Sequence, residues 1–506
     1  MPDIAAWFAG LRRWQRAAML ILIGIIAALG HAPFYIWPAT ILAIAAVLWC
    51  VPSAVTPRQA AAWMWLFGIG YFGFALRWIV EPFLVDVARH GWMAPFALVL
   101  MAAGAGLFWA VAGWFAARLA PRSALVLALM LTGAEVLRSL ILTGFPWALL
   151  GHVWLETGVA QFAAFGGPHL LTLLLVLSAW ALAALPRSHR ILAVVILVLV
   201  TGAGLFIRPG PMPTALPDAP IVRLVQPNAP QDQKWDPAFR DEFVRRMVRL
   251  SGEGEVPDIV VWPETAVPYL LQFLDDELQV FSDAARGAPL VFGVQRRDAE
   301  RRAFNSLVVM SAGARIESIY DKRHLVPFGE YMPGAALLGR AGATGLARNL
   351  GIGFTPGAVP GPVDIPGIGP AVPLICYEGI FAEEIAYGDT RPRLLLLITN
   401  DAWFGQGAGP EQHLAQARLR AIEQGLPMVR VANTGISAMI DSKGRIVGSM
   451  ALGTAGALDA ALPPALPETL YARFGEWPFA VLWGFFTIGA ITWQRRKAID
   501  LTPPAP

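Results

Sequence analysis

The chain has 506 residues, 56% of them hydrophobic and only 15% charged, with a formal net charge of +3 and a mean hydropathy of +0.54. A soluble domain carries about 25% charged residues, so the composition excludes a water-soluble enzyme of this length, and the small net charge gives no footprint for nucleic acid. Two cysteines exclude a disulfide framework or a Cys-rich metal site, and the seven histidines are scattered without HExxH-type spacing.

In chain order, a spanning helix needs about 20 mostly apolar residues. Seven candidates precede residue 208, at roughly 17–30, 36–52, 60–80, 92–117, 123–143, 165–185 and 190–207. The first has a basic flank in Arg12, Arg13 and Arg16, as a signal peptide would, but six further runs follow it and Gly30-His31-Ala32-Pro33 is a poor cleavage site. Arg12, Arg13 and Arg16, then Arg58, then Arg118 and Arg122, then Arg187 and Arg190 all fall in loops on one side. The positive-inside rule makes that side cytoplasmic. The opposite loop after the third run is not free of charge, since Arg77, Glu81, Asp86, Arg89 and His90 surround it, but the bias favours an inside N-terminus. Many of the nineteen tryptophans stand near the ends of apolar runs, which suits an interfacial belt. Glu135 and Arg138 fall in or beside the fifth run; at spacing i, i+3 they can pair with each other, although intramembrane charges are functional candidates by default.

Pro209, Pro211, Pro213 and Pro217 mark a linker, after which charges return. From about 218 to 470, apolar runs alternate with amphipathic segments. Strands are expected at 220–226, 258–263, 289–295, 305–311, 315–320, 371–376, 393–399, 428–432 and 437–448, the last a hairpin turning at Lys443-Gly444. Helices are expected at 238–250, 272–286 and 411–424. Continuous apolar runs such as Leu394-Leu395-Leu396-Leu397-Ile398 read as strands buried on both faces, and the alternation as a layered α/β domain. Residues 477–494 are apolar again and end in Arg495-Arg496-Lys497, an eighth span returning to the basic side. The expected organisation is a membrane domain over 1–208, an extracytoplasmic α/β domain over 218–470, a C-terminal span over 477–494 and a cytoplasmic tail over 495–506.

Three strand ends carry chemistry. Val260-Val261-Trp262-Pro263-Glu264 ends in a carboxylate, Ile319-Tyr320-Asp321-Lys322 in an ammonium and Leu374-Ile375-Cys376 in a thiol. A free thiol has a pKa near 8.5 and needs a base or a cation to attack at neutral pH. Glu264 can take its proton, and Lys322 can lower its pKa or hold the oxyanion formed at an attacked carbonyl. The three suffice for acyl transfer through a thioester, with no metal or organic cofactor. Cys50, inside the second apolar run, reads as a small apolar filler. On these residues alone a membrane-tethered amidase and a transporter with an outer binding domain remain open; the transporter requires charges deep in several spans, and these spans hold few.

Trp262-Pro263-Glu264, Tyr320 to Glu330 (YDKRHLVPFGE), Ile375-Cys376-Tyr377-Glu378 and Asn400 to Gly405 (NDAWFG) resemble the nitrilase, or carbon–nitrogen hydrolase, superfamily. Together with the apolar runs, with Leu142 to Trp147 (LTGFPW), and with Gln412-His413, Arg420 to Glu423 and Arg430 to Gly435, the ordered set resembles its membrane branch, the apolipoprotein N-acyltransferases. The resemblance covers essentially the whole chain. It implies an αββα sandwich with Glu264 as general base, Lys322 as oxyanion lysine and Cys376 as nucleophile. It also implies Glu330 as an accessory glutamate orienting the lysine, Tyr377 and Glu378 as supports of the nucleophile loop, and Trp235 beside the acyl-substrate entrance. The implied reaction moves an acyl chain from a phospholipid, phosphatidylethanolamine in the family, to the α-amine of a diacylglyceryl-cysteine at an apolipoprotein N-terminus. The implied enzyme is a monomer, multi-pass in the bacterial inner membrane, with its catalytic domain periplasmic and both termini cytoplasmic.

His324 and His413 read as structural hydrogen-bonding residues, and Asn400 and Asp401 as residues that shape the site. The loop 332–356 is rich in Gly, Ala and Leu with few charges; such a stretch is expected to act as a lid or arm touching the bilayer.

Overall fold

The computed structural model describes residues 4–184, 191, 195–196, 198–200, 202, 204, 210, 217–334, 353–358, 361–385, 387–388 and 390–500. They fall into two compact units, one built from Met1–Gly210, Gly407–Ala415 and Glu468–Pro506, the other from Pro211–Gln406 and Gln416–Pro467. More than half of the expected seventh span, 190–207, and most of the 332–356 loop lie outside the described residues.

The first unit is helical. Its main helices are α1 (Arg13–Ala28), α2 (Trp37–Cys50), α3 (Pro57–Ala75), α4 (Ala94–Leu119), α5 (Ala124–Leu140) and α6 (Ala163–Ala184), with Trp477–Asp500 closing the chain. Among the described residues, two stretches are long and apolar enough to cross a membrane, Val87–Leu119 and Gly158–Ala184, or three if Pro57–Ala75 and Arg77–Leu84, bent by 65°, count as one. Trp37–Ser53 is apolar but shorter. The 16 residues of α1 and 17 of α5 also fall below the roughly 20 that a straight crossing requires. Small residues let α1 and α3 touch backbone to backbone: a Cβ at Gly24 would lie 2.2 Å from the Phe67 carbonyl oxygen, and one at Gly70 2.0 Å from that of Ile21.

The charges of α5 are turned inward. Arg138 pairs with Glu135 at 3.0 Å, and both side chains are buried. Glu135 also accepts from Trp109 Nε1 at 2.8 Å and from the Leu150 N–H at 3.2 Å. Arg138 donates to the carbonyls of Phe145 and, at 2.8 Å, of Trp147. The pair therefore ties the loop after α5 to α4 and α5, and nearly every polar valence it has is used. Trp147 in turn donates to Gln412 Oε1 at 2.7 Å and stacks on His413. Gln412 donates to the carbonyls of Ala75 and Ala32 at 3.1 and 3.3 Å.

The second unit holds two sheets. One has the order β13-β1-β2-β4-β5-β6, with β3 added beside β4; the other runs β12-β11-β10-β9-β8-β7. The first six strands are β1 (Ile221–Gln226), β2 (Ile259–Val261), β3 (Val267–Leu270), β4 (Leu290–Arg297), β5 (Ala303–Ser311) and β6 (Arg315–Asp321). The others are β7 (Val363–Ile365), β8 (Gly369–Ile375), β9 (Leu394–Thr399), β10 (Met428–Ala432), β11 (Ala438–Ile440), β12 (Ile446–Ser449) and β13 (Gly456–Ala461). Parallel pairing of β8 with β9 and β9 with β10 needs strands apolar on both faces, and every residue of β9 is buried. The helices α7 (Arg240–Gly252) and α8 (Asp275–Ala284) cover the first sheet. Met247, Leu250, Leu278 and Phe281 pack there with Val260, Trp262, Phe292 and Val308. Gln226 of β1 accepts from the Ser437 hydroxyl at 2.6 Å, joining the two sheets. The helix α9 (Ala408–Gln424) continues into this unit from Gln416, where Arg420 donates to the Ile380 carbonyl at 2.7 Å. Two sheets with helices packed on them make this unit the layered α/β domain expected of 218–470.

Candidate active site

The strand ends of this sandwich carry Glu264, Lys322 and Cys376. β2 stops at Val261, and Trp262-Pro263 aim Glu264 back toward the sheet. Thr265 follows at φ 43°, a left-handed conformation unusual for a β-branched residue. The turn lies directly on β4: a Cβ at Gly293 would sit 2.5 Å from the Thr265 nitrogen and 2.6 Å from Glu264 Cα. Only glycine permits that approach.

Glu264 is 5% exposed. Its Oε1 accepts from Asn305 Nδ2 at 2.7 Å and lies 3.5 Å from Lys322 Nζ, while Oε2 accepts from the Asn400 N–H at 2.8 Å. Lys322, 1% exposed, donates to Glu330 Oε1 at 2.9 Å. Glu330 also takes Asn305 Nδ2 at 3.2 Å and the Val326 N–H at 2.8 Å. Burial alone would discharge Lys322, but the carboxylates of Glu330 and Glu264 outweigh it and raise the pKa above the ordinary lysine value. The ammonium is therefore fixed in its charged form.

Cys376 ends β8 at φ 51°, so its side chain leaves the strand in a sharp, strained turn. It is 6% exposed. Burial pushes its pKa well above the ordinary thiol value, the Glu264 carboxylate pushes the same way, and Lys322 and Thr399 oppose them. At neutral pH the group is a thiol with a carboxylate and an ammonium for company. It needs a proton acceptor before it can attack.

Glu378 is spent on architecture. Oε2 accepts from the Ile375 N–H at 2.8 Å, and Oε1 from the Tyr320 hydroxyl at 2.7 Å, the Arg323 N–H at 2.8 Å and the His324 N–H at 3.3 Å. One carboxylate thus clamps the Cys376 turn to the Lys322 loop. Tyr377 is buried and packs edge-on against His324 and Phe381. His324 stacks on Phe381 and pairs with Glu384 at 2.6 Å, a structural placement, as is that of His413 beside Trp147. Trp235 is 39% exposed and carries no hydrogen bond to Glu264, Lys322 or Cys376 among the described contacts.

Asn400 and Asp401 are buried, as residues that shape the site should be. Asn400 Nδ2 donates to Gln231 Oε1 at 2.8 Å, and Asp401 pairs with Arg430 at 2.6 Å. Two residues escaped the sequence reading. Asn305, in the middle of β5, bridges the two carboxylates; nothing in Phe304-Asn305-Ser306 signals it, because its partners are distant in the chain. Lys234, beside Trp235, is 4% exposed and donates to Thr265 Oγ1 at 2.8 Å and to the Glu264 carbonyl at 3.2 Å. A lysine in a polar run reads as surface until its burial is known. Among the described residues no group of three or more His, Cys, Asp or Glu side chains is arranged to hold a metal ion.

The model of the apolipoprotein N-acyltransferase N-terminal domain matches residues 23–181, and that of carbon-nitrogen hydrolases matches residues 222–470. Curated relatives match nearly end to end. The chain is 38% identical to the apolipoprotein N-acyltransferase of Rhodopseudomonas palustris, over 93% of either chain. It is also 38% identical to that of Bradyrhizobium diazoefficiens, over 96% of either chain. The same identity, over 93% of either chain, relates it to that of Caulobacter vibrioides. The chain belongs to the apolipoprotein N-acyltransferase family. Membership makes it an acyltransferase with a carbon–nitrogen hydrolase domain, and gives the helical unit a place in the family's architecture that an amidase's anchor would not need.

Proposed function

We propose that the chain transfers an acyl chain from a phospholipid to the α-amine of an N-terminal S-diacylglyceryl-cysteine, through a thioester on Cys376. The observation that carries this is the buried cluster of Glu264, Lys322 and Glu330 at the strand ends, with the thiol of Cys376 within its field. Glu264 takes the thiol proton, and the sulfur attacks the ester carbonyl. Lys322 stabilises the oxyanion, and Glu330 holds Lys322 in register. The ester C–O bond breaks, and the glyceryl oxygen takes the proton back from Glu264 as lysophospholipid leaves. In the second half-reaction the amine attacks the thioester, Glu264 accepts its proton, and the thiol is restored. Tyr377 and Glu378 support the nucleophile turn, and Trp235 lies by the acyl-substrate entrance.

The membrane supplies both substrates. In this reading eight helices span it, seven before about residue 208 and one over 477–494; residues 218–470 are periplasmic, and the N-terminus and the 495–506 tail are cytoplasmic. The basic residues of alternate loops support that orientation. The protein sits in the bacterial inner membrane and works as a monomer, phosphatidylethanolamine is the donor, and residues 332–356 form a bilayer-touching arm.

The test is an assay of purified enzyme with phosphatidylethanolamine and a diacylglyceryl lipopeptide whose α-amine is free. The expected product is the N-acylated lipopeptide with stoichiometric lysophospholipid. Release of free fatty acid with an unmodified lipopeptide would make the enzyme a hydrolase and contradict the proposal.

A further inference from the structure

Lys234 is a buried ammonium that forms no ion pair among the described residues. Burying an ammonium is costly unless another charge compensates it. Its two hydrogen bonds go to neutral acceptors, the Thr265 hydroxyl and the Glu264 carbonyl, and an ammonium has a third N–H to give. The negative charges it feels are the Glu264 carboxylate and the ionised Cys376. Lys322, by contrast, is paired with two carboxylates. A cation needed only to brace a turn could be replaced by a neutral donor at lower desolvation cost. One that faces a proton-transfer pair is informative when the negative charge moves from Glu264 to the sulfur.

We infer that Lys234 is a second cation of the site and a positioning residue: it holds the strained Glu264–Thr265 turn on β4, and its charge favours the thiolate of Cys376 when Glu264 takes the proton. This rests on the reading of Glu264 and Cys376 given above. The charged groups acting on the Cys376 thiol are Glu264 after β2, Lys322 after β6 and Asp401 after β9, and Lys234, bonded to the Glu264 turn, feels the charge of an ionised Cys376. Glu264 and Asp401 oppose ionisation, but Asp401 is already paired with Arg430 at 2.6 Å, so Glu264 is the carboxylate that Lys322 and Lys234 together offset. Burial brings Lys234 down to about 8, against the pull of Glu264 and Cys376. The ammonium consequently persists through neutral pH and is lost in the mildly alkaline range. Its neighbour Trp235, with Lys234 Nζ 5.7 Å from the ring centroid, is partly exposed, so occupancy beside Trp235 can act on the position of the cation.

The test reads the thiolate directly. Full-length enzyme carrying Cys50→Ala is alkylated with iodoacetamide between about pH 6 and 10, and the adduct on Cys376 is followed by intact mass. Lys234→Met is expected to slow alkylation at neutral pH, where Lys234 is charged, about tenfold, with the difference from the parent closing above about pH 8 as the lysine loses its proton. Lys234→Arg should stay within a few tenths of a unit of the parent. A Lys234→Met profile that superimposes on the parent's overturns the inference. If Lys234→Met does not fold, Thr265→Val decides. Loss of the hydroxyl that holds Nζ is expected to slow lysophospholipid release several-fold and to slow alkylation at neutral pH by less than Lys234→Met would. No change in either overturns the inference. Cys376→Ala separates the two readings: acyl transfer that survives it sinks the thioester mechanism, whereas an unmoved Lys234→Met profile sinks only the role of Lys234.

Discussion

The two units each bury an acid beside a base, and put the pair to opposite uses. In the helical unit Glu135 and Arg138 face each other at 3.0 Å, and their remaining valences go to Trp109, the Leu150 N–H and the carbonyls of Phe145 and Trp147. Such a pair holds a loop in place and has nothing left to offer a substrate. In the sandwich Glu264 and Lys322 stand farther apart, at 3.5 Å. Asn305 and Glu330 hold them from one side, and a strained thiol shares their field. Charge inside an apolar run is a functional signal by default, but the printed bonds of this pair all go to groups of the helical unit itself. What marks the other cluster is the thiol proposed as nucleophile, whose pKa is raised by burial and by the acid itself.

The contrast can be broken or sharpened by substitution. The largest effect is expected from Cys376→Ala, which removes the nucleophile: acyl transfer should fall by about 10⁴-fold or more, with little change in thermal melting. Next comes Glu264→Gln, which keeps most of the hydrogen-bonding shape and loses the base. Lysophospholipid release should drop by about 10²–10⁴-fold, measured under single-turnover conditions. Lys322→Met tests both properties, since it leaves Glu264 and Glu330 buried without their cation. Activity should be lost together with about 3–5 kcal/mol of stability. Glu135→Ala is the mirror experiment. It should cost about 3–5 kcal/mol by stranding Arg138, read as a lower denaturation midpoint, while the Cys376 alkylation rate per folded molecule stays unchanged. A large fall in that rate would make the helical pair catalytic after all.

The smallest expected effect concerns pH. A thiol whose folded pKa is raised binds its proton more tightly folded than unfolded, so its contribution to stability is complete below the unfolded value of about 8.5 and is lost as pH rises beyond it. Stability should therefore decline from about pH 8.5 upward, and Cys376→Ala should flatten that limb. Lys322, whose folded pKa is also raised, adds a decline of the same sign only above about pH 10.4.

Much of this fold is legible in the residues because burial dictates them. β9 is apolar up to its last residue, Thr399, since it lies between two parallel neighbours, and the apolar runs of the first unit are helices where an apolar run predicts one. β13 was not legible: Gly456-Ala457-Leu458-Asp459-Ala460-Ala461 has no β-branched residue, and it becomes a strand by pairing antiparallel with β1. Arg223 secures that edge with a 2.6 Å ion pair to Asp459. β3 and β7 are too short for a period to register. The break at Gly166-Gly167 inside α6 is equally local. The count of crossing helices is where composition runs out, since several helices are shorter than the apolar runs that contain them.

Of the proposed site, the cluster was legible wherever a motif placed chemistry at a strand end, as for Glu264, Lys322 and Cys376. It was not legible where a residue acts through the fold. Asn305 and Lys234 are ordinary side chains in sequence, and only the assembly of the first sheet brings one between two carboxylates and the other onto the Glu264 turn.

The thioester can be seen directly. Enzyme incubated with phosphatidylethanolamine in the absence of lipopeptide, then digested and weighed, should carry one acyl chain on the peptide containing Cys376; hydroxylamine should remove it, and a diacylglyceryl lipopeptide should chase it into N-acyl product. Transfer to lipopeptide with no acyl adduct on Cys376, or with the acyl chain on another residue, would contradict the account.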